Sequence, residues 1–274
     1  MDESEYLRNK AKEVRRETLL IHKRAPETRV ASSLSPVEIF VALYYGKVLR
    51  FDPKNPLWEG RDRFIISKGH GSISMYPILA DLGFFDKTEL MKVCRPGSFL
   101  GGIPDPIIPG YETVNGSLGH GMGVGCGVAV ALKAKNSDLS VFVMVGDGEL
   151  NEGSNWEAIM FAAHNKLDNL TVIVDDNKVS MLDFTKNIID ASPLAARFAA
   201  FGFECFEVGG HDVEAVTDVL KIAKQTKNGK PKAIFAHTTK GKGVEFLETH
   251  PLSHILSIKP EHVDEIVGAM DARD

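Results

Sequence analysis

Two short polar stretches, Gly146-Asp147-Gly148 and Asp175-Asp176-Asn177, each follow a continuously apolar run, and they set Asn177 30 residues after Asp147. A carboxylate and an amide oxygen are hard donors of the kind magnesium accepts from protein when phosphate oxygens and water complete its octahedron. Asp147 and Asn177 are therefore read as metal ligands, with the main-chain carbonyl of Val179, in the next loop, as a third. Gly146 and Gly148 carry no Cβ, so their backbone can approach a phosphate closely. The chemistry indicated is a magnesium and diphosphate site.

Such a site needs elements that bring the two stretches together. Residues 141–145 and 170–174 are apolar and β-prone throughout, which suits parallel strands buried on both faces. Between them, Trp156, Ile159, Met160 and Ala163 fall at helical spacing, giving strand, helix and strand over the length of one right-handed crossover. Neighbouring strands lie about 4.8 Å apart, so Asp147 and Asn177 would emerge together at the carboxyl edge, where open α/β sheets take their ligands.

The rest of the chain alternates in the same way. A first helix is expected over 5–22. A second is expected to open at Ser35-Pro36-Val37-Glu38, read as a capping box with proline at the first helical position, and to run to about Lys47. A short strand at 63–67 leads into Lys68-Gly69-His70-Gly71, then a helix ending near Gly83, a short helix at 87–94 and a Pro/Gly-rich loop over 96–110 that is long for a simple connection. From Gly116 a small-residue helix is expected to run to about Lys135. Its glycines resemble a dinucleotide fingerprint, but no strand precedes them directly, and a nicotinamide site is rejected. A helix at 193–201, a strand at 204–208, a helix started by Asp212, a strand at 232–236 and a last helix at 260–270 complete a doubly wound, mostly parallel α/β sheet with helices on both faces.

With 43% hydrophobic and 25% charged residues over 274 positions, the chain can bury a substantial core. Its formal charge of −5, with no massed basic run, argues against nucleic-acid binding. Cys94, Cys126 and Cys205 are widely spaced and odd in number, which indicates buried thiols in a reducing compartment rather than disulfides or a zinc cluster. The acidic start Met1-Asp2-Glu3-Ser4-Glu5 does not read as a signal peptide, and no apolar run reaches membrane-spanning length. A cytoplasmic protein without membrane contact is expected.

Taken in order, the run 62–71, Gly116-Ser117-Leu118-Gly119, the run 146–152, Asp175-Asp176-Asn177-Lys178 and Gly210-His211-Asp212 resemble the amino-terminal region of transketolases. The two polar stretches and their spacing look like the thiamine-diphosphate motif of that family, and the resemblance spans nearly the whole chain. It implies the thiamine-diphosphate-binding fold, with residues 1–274 as a single diphosphate-binding domain carrying an N-terminal helical segment. It assigns Asp147, Asn177 and the Val179 carbonyl to magnesium, and Gly116, Gly146, Gly148 and Glu149 to the neighbourhood of the diphosphate. Leu118 and Met181 would flank the cofactor rings, and His70 would face both diphosphate and substrate channel. The activity implied is transfer of a two-carbon ketol unit between sugar phosphates.

Three positions depart from the family pattern. Thr28-Arg29-Val30-Ala31 stands where the family usually reads Gly-His-Pro-Gly, so a substrate-side histidine position holds Arg29. Gly102-Ile103-Pro104 stands where it reads Gly-His-Pro, placing Ile103 at a second, and His254, matching a third, is followed by Ile255 rather than glycine. His70, His254 and Arg29 are the candidate catalytic residues, the last because a guanidinium can grip phosphate or carboxylate bidentately. Glu152 and Glu157 are read as subunit contacts, and His120 and His211 as hydrogen-bonding groups at loop or helix ends.

The resemblance further implies a pyrimidine-binding domain that supplies a glutamate to the cofactor's aminopyrimidine. No second α/β unit is read in this sequence, so a separately encoded C-terminal (pyrimidine-binding) subunit is expected, in a two-fold heterotetramer. Two other readings stay open. The chain can be the diphosphate-binding subunit of another thiamine enzyme, a 2-oxo-acid decarboxylase or dehydrogenase component, which the loss of two histidines favours. It can also be a non-catalytic binding protein retaining the fold, against which the intact Asp147 and Asn177 stand.

Overall fold

The structure, a computed structural model, describes residues 2–271. Helix α1 (Glu3–Arg24) starts where the Asp2 carboxylate accepts the Glu5 N–H at 2.7 Å. Acidic residues in its first turn and basic ones in its last complement the helix dipole. A one-turn helix α2 (Val30–Leu34), not expected from the sequence, precedes α3 (Val37–Tyr44).

The capping box expected at Ser35 and Glu38 does not form. Pro36 is the N-cap of α3 with no side-chain cap bond, and the helix stops at Tyr44. Ser35 Oγ instead donates to the Asp175 carboxylate at 2.6 Å, and Glu38 binds Arg15 and His211. Both side chains found charged partners far away in sequence, which local capping cannot match.

The strands β1 (Arg63–Ile66), β2 (Val141–Gly146), β3 (Leu170–Asp176), β4 (Glu204–Gly209) and β5 (Lys232–His237) form a parallel sheet in the order β1-β2-β3-β5-β4. The helices between them are α4 (Met75–Leu82), α5 (Gly121–Ala134), α6 (Gly153–His164), the single turn α7 (Thr185–Ile188), α8 (Leu194–Phe201) and α9 (Val213–Gln225). The single turn α10 (Glu245–Glu248) and α11 (Pro260–Asp271) follow.

Alternate strand residues divide between two cores. Phe142, Met144, Ile173 and Ile234 pack with α1, α3, α4 and α9; Val143, Val145, Val172 and Phe235 pack with α5, α6 and α8. A third cluster joins Leu19 and α2 to Val244, Leu247 and α11. The doubly wound expectation holds, and the second core needs a very close helix. On α5, a Cβ added to Gly125 would lie 2.3 Å from Val143 Cγ2, and one on Gly121 would lie 2.6 Å from Ser67. The small-residue run thus serves packing against β1 and β2, with the helix starting at Gly121 rather than Gly116. Cys126 is buried, Cys94 and Cys205 are half-buried, and all three are unpaired. Among the described residues no helix is long and apolar enough to cross a membrane.

Candidate active site

Register places the two polar stretches side by side. Gly146 pairs with Asp175 at the ends of β2 and β3, so Asp147 and Asn177 leave adjacent strands at the carboxyl edge. Asp147 Oδ1 accepts the Gly148 N–H at 2.9 Å and Oδ2 the Lys178 N–H at 2.7 Å, which binds the carboxylate to both loops. Lys178 adopts a left-handed conformation (φ 64°), and this turn aims its N–H back at Asp147.

The orientation of Asn177 follows from its neighbour. Its Nδ2 lies 3.0 Å from an oxygen of Asp175, which can only accept, so the amide oxygen is the atom turned to the loop, where it accepts the Val179 N–H at 3.1 Å. Asp175 is fully buried and also accepts from Ser35 and Thr238 and pairs with the Lys68 ammonium. Burial pushes the Asp175 carboxyl up, but Lys68 and the hydroxyl donors outweigh it and hold it below the ordinary carboxylate value.

Around these groups lies a cleft of about 280 Å³. Asp147, Asn177 and Val179 line it together with Gly146 and Gly148, as do Gly116, Leu118 and Met181, and Lys68, His70, Ser180, Lys240 and His254. Met181 sits at the exposed tip of a small hairpin closed by the Val179–Phe184 bridge. The structure thus brings together every expected metal and cofactor residue. Glu149 also borders the cleft, but its carboxylate turns inward: it accepts from Ser67 Oγ, from Gly119 N at 2.9 Å and from Gly146 N at 3.1 Å. It ties the 116–119 loop to the end of β2 rather than offering oxygens to a ligand.

The electrostatics suit a ligand that brings its own charges. Burial, and then the charges of Asp175 and Asp176, push the Asp147 carboxyl up toward neutrality, while burial, and then the Lys68 charge, push the Lys240 ammonium down. A divalent cation would reverse the first effect and a polyanion the second. The donor set fits magnesium, having one carboxylate, one amide oxygen and one carbonyl and needing further oxygens from phosphate and water. Among the described residues no group of three or more His, Cys, Asp or Glu is arranged to hold a metal on its own.

His70 and His254 stand with ring centroids 4.7 Å apart. Burial and the nearby cations hold His70 well below its usual 6.5 and push His254 down to about 3, so both imidazoles are neutral. Lys240 Nζ lies 3.2 Å from His254 Nδ1, which makes Nδ1 the acceptor and leaves the proton on Nε2. Arg29 is exposed and close enough for its charge to depress both imidazoles. Ile103, 42% exposed, lies against Gly116: a Cβ there would sit 3.2 Å from Ile103 Cδ1. Glu152 and Glu157 are exposed.

Sequence reasoning missed Lys68, Asp175 and Lys240 as members of the site, and His22. The last accepts the Ile258 N–H and meets Thr28 Oγ1 at 2.9 Å, pinning the turn before Arg29 to the segment after His254. Lys68 lies within a quoted motif, but the partner that defines its role is 107 positions away.

These features define a doubly wound α/β protein with a mixed-charge ligand cleft at the carboxyl edge of its sheet. Residues 23–270 match the family described as transketolase, thiamine diphosphate binding domain, and the chain belongs to that family. It is 41% identical to an apulose-4-phosphate transketolase subunit of Actinobacillus succinogenes over 94% of this chain and 93% of that one. It is 35% identical to 6-deoxy-6-sulfo-D-fructose transketolase subunit SqwG of Clostridium sp. strain MSTE9, over 93% and 92%. Among solved structures it resembles transketolase from Campylobacter jejuni, with a TM-score of 0.89 at 31% identity, covering 99% of this chain and 43% of that longer one.

Proposed function

We propose that this chain is the amino-terminal, diphosphate-binding subunit of a split transketolase-like enzyme, using magnesium and thiamine diphosphate to move a two-carbon ketol unit between sugar phosphates or related ketose and aldose substrates. The observation that carries this reading is the convergence of Asp147, the Asn177 amide oxygen and the Val179 carbonyl in the cleft that also holds Lys240. In this reading those three oxygens hold magnesium, and Gly116, Gly146 and Gly148 admit the diphosphate without a Cβ in its way. Lys240 offers it a cation, and Leu118 and Met181 present apolar surface to the rings. The bound cofactor supplies carbanion-stabilising chemistry, and the protein supplies orientation and proton management. His70 and His254, neutral and side by side in the cleft lining, are suited to hydrogen-bond substrate hydroxyls and to hold a proton at His254 Nε2.

Dependence on a partner is part of the proposal. The two relatives are named as subunits and match this chain over nearly their whole lengths. Met181, at the cleft, and Leu182, Ile188 and Ile189, further along the same segment after β3, expose apolar side chains, as a surface awaiting a second protein does. That protein is a separately encoded pyrimidine-binding subunit. Residues 1–274 act as a single diphosphate-binding domain, and a two-fold heterotetramer in the cytoplasm, where unpaired thiols persist, completes the reading.

The test is to combine the purified chain with the product of the adjacent reading frame, magnesium and thiamine diphosphate, and to assay ketol transfer over a panel including apulose 4-phosphate and 6-deoxy-6-sulfofructose. Absence of transfer across the panel counts against the proposal. A second reading, a 2-oxo-acid-handling subunit, is favoured by the Arg29 charge near His254 and by Ile103 against Gly116; consumption of a 2-oxo acid without ketose turnover would select it.

A further inference from the structure

Lys240 projects into the cleft from a tight turn, and that turn is held from behind by residues that do not line the cleft. At its start, the Thr239 N–H donates to His211 Nε2 at 2.7 Å; at its end, Arg15 Nε donates to the Lys242 carbonyl at 3.0 Å. Both anchors rest on one side chain. The Glu38 carboxylate, buried on α3, receives Arg15 Nη2 at 2.8 and 3.0 Å and His211 Nδ1 at 2.9 Å. Because Nε2 accepts from Thr239, the proton of His211 is on Nδ1 and donates to Glu38, so a single tautomer serves both bonds. The turn also fits closely around Arg15: Gly243 has φ 92°, and a Cβ there would lie 2.8 Å from Arg15 Cδ. The ammonium so placed donates to the Val179 carbonyl at 3.0 Å.

We propose that Glu38, Arg15 and His211 form a clamp whose function is to hold the Lys240 ammonium in register with the cleft, making His211 a positioning residue for the anionic part of the ligand. The inference rests on the thiamine diphosphate reading of the site. Removing the Nε2 acceptor frees the start of the turn, and Lys240 then loses its fixed approach to the diphosphate. A side chain that acts in this way has no effect to lose once the ammonium itself is gone.

The experiment is a binding cycle on the full chain assembled with its partner subunit. The affinity for thiamine diphosphate with saturating magnesium is measured by calorimetry for wild type, His211→Phe, Lys240→Met and the double variant. Melting temperature is recorded for each. His211→Phe should weaken binding on the order of tenfold, the scale of one charge-assisted contact. The double variant should bind no more weakly than Lys240→Met alone. His211→Gln, whose amide oxygen reaches the Nε2 position, should recover most of the loss. Wild-type affinity in His211→Phe, or losses that multiply in the double variant, would overturn the clamp. If His211→Phe does not fold, Glu38→Gln takes its place in the same cycle with the same two outcomes. A wild-type complex that binds no thiamine diphosphate would sink the reading of the site instead, so the two failures are distinguishable.

Discussion

Asp175 is the carboxylate on which the cleft is built, and replacing it with asparagine separates its charge from its shape. The native side chain is fully buried and accepts from Lys68, Ser35 and Asn177 on one oxygen and from Thr238 on the other. In Asp175→Asn the amide oxygen can take the place of the first oxygen and keep three of the donors, while the amide N–H₂ can be accepted by the Thr238 hydroxyl, which rotates. Hydrogen-bond geometry is largely preserved, and the main loss is the countercharge of Lys68, itself 1% exposed. A buried ion left without its partner costs about 3–5 kcal/mol, and that is the destabilisation expected in urea unfolding followed by circular dichroism. Adding Lys68→Met removes the orphaned charge and should recover about 2 kcal/mol or more, measured as a coupling energy between the two sites. A loss below about 1 kcal/mol in Asp175→Asn, or simple additivity in the double variant, would refute the reasoning.

Three further outcomes are expected. On α5, Gly125→Ala should lose about 1–3 kcal/mol by forcing a methyl into Val143. Gly123→Ala, with nothing within 4 Å, should gain up to about 1 kcal/mol from helix propensity; melting of the isolated chain compares them. Glu149→Gln should cost about 1–3 kcal/mol, because its amide nitrogen cannot accept from both sides and leaves a buried main-chain N–H unpaired. The third concerns acid stability. Burial pushes the Glu38 carboxyl up, but Arg15 and His211 outweigh it and hold it below its usual 4.5. A depressed folded pKa stabilises the fold above the unfolded value and is lost as pH falls through the folded one. Glu38→Gln should therefore be less stable than wild type near neutrality, and its urea midpoint should fall less steeply on the acid side of pH 4.5. An equally steep fall in both proteins would contradict the assignment.

What could be read from the sequence was whatever local chemistry encodes. The runs 141–145 and 170–174 are apolar at every position because both faces of β2 and β3 are covered, and the polar residues after them have no role in such a core. The residues read as metal and cofactor ligands follow strand ends or sit in short loops, and the pattern marks them for the same reason; the structure gathers them along one cleft. Ser35 and Glu38 looked like a cap because their spacing is that of a cap, yet charged partners from α1, β3 and the turn after β4 claimed both. Lys68, Asp175 and Lys240 acquire their roles through contacts across 61 to 107 positions, for which a linear pattern carries no mark. Glu149, which the resemblance places near the diphosphate, does border the cleft, but the 3₁₀ turn at Gly148–Asn151 carries its carboxylate back toward Ser67, a contact the linear pattern does not mark.

The central claim is that Asp147, Asn177 and the Val179 carbonyl hold a cation through which thiamine diphosphate is bound. Calorimetric titration of thiamine diphosphate into the chain assembled with its partner, with and without magnesium, tests it most directly. Binding should require magnesium and should weaken by about two orders of magnitude or more in Asp147→Ala, whose circular dichroism stays that of the folded protein. Tight binding without any divalent cation, or an Asp147→Ala variant that binds as wild type does, would contradict the account.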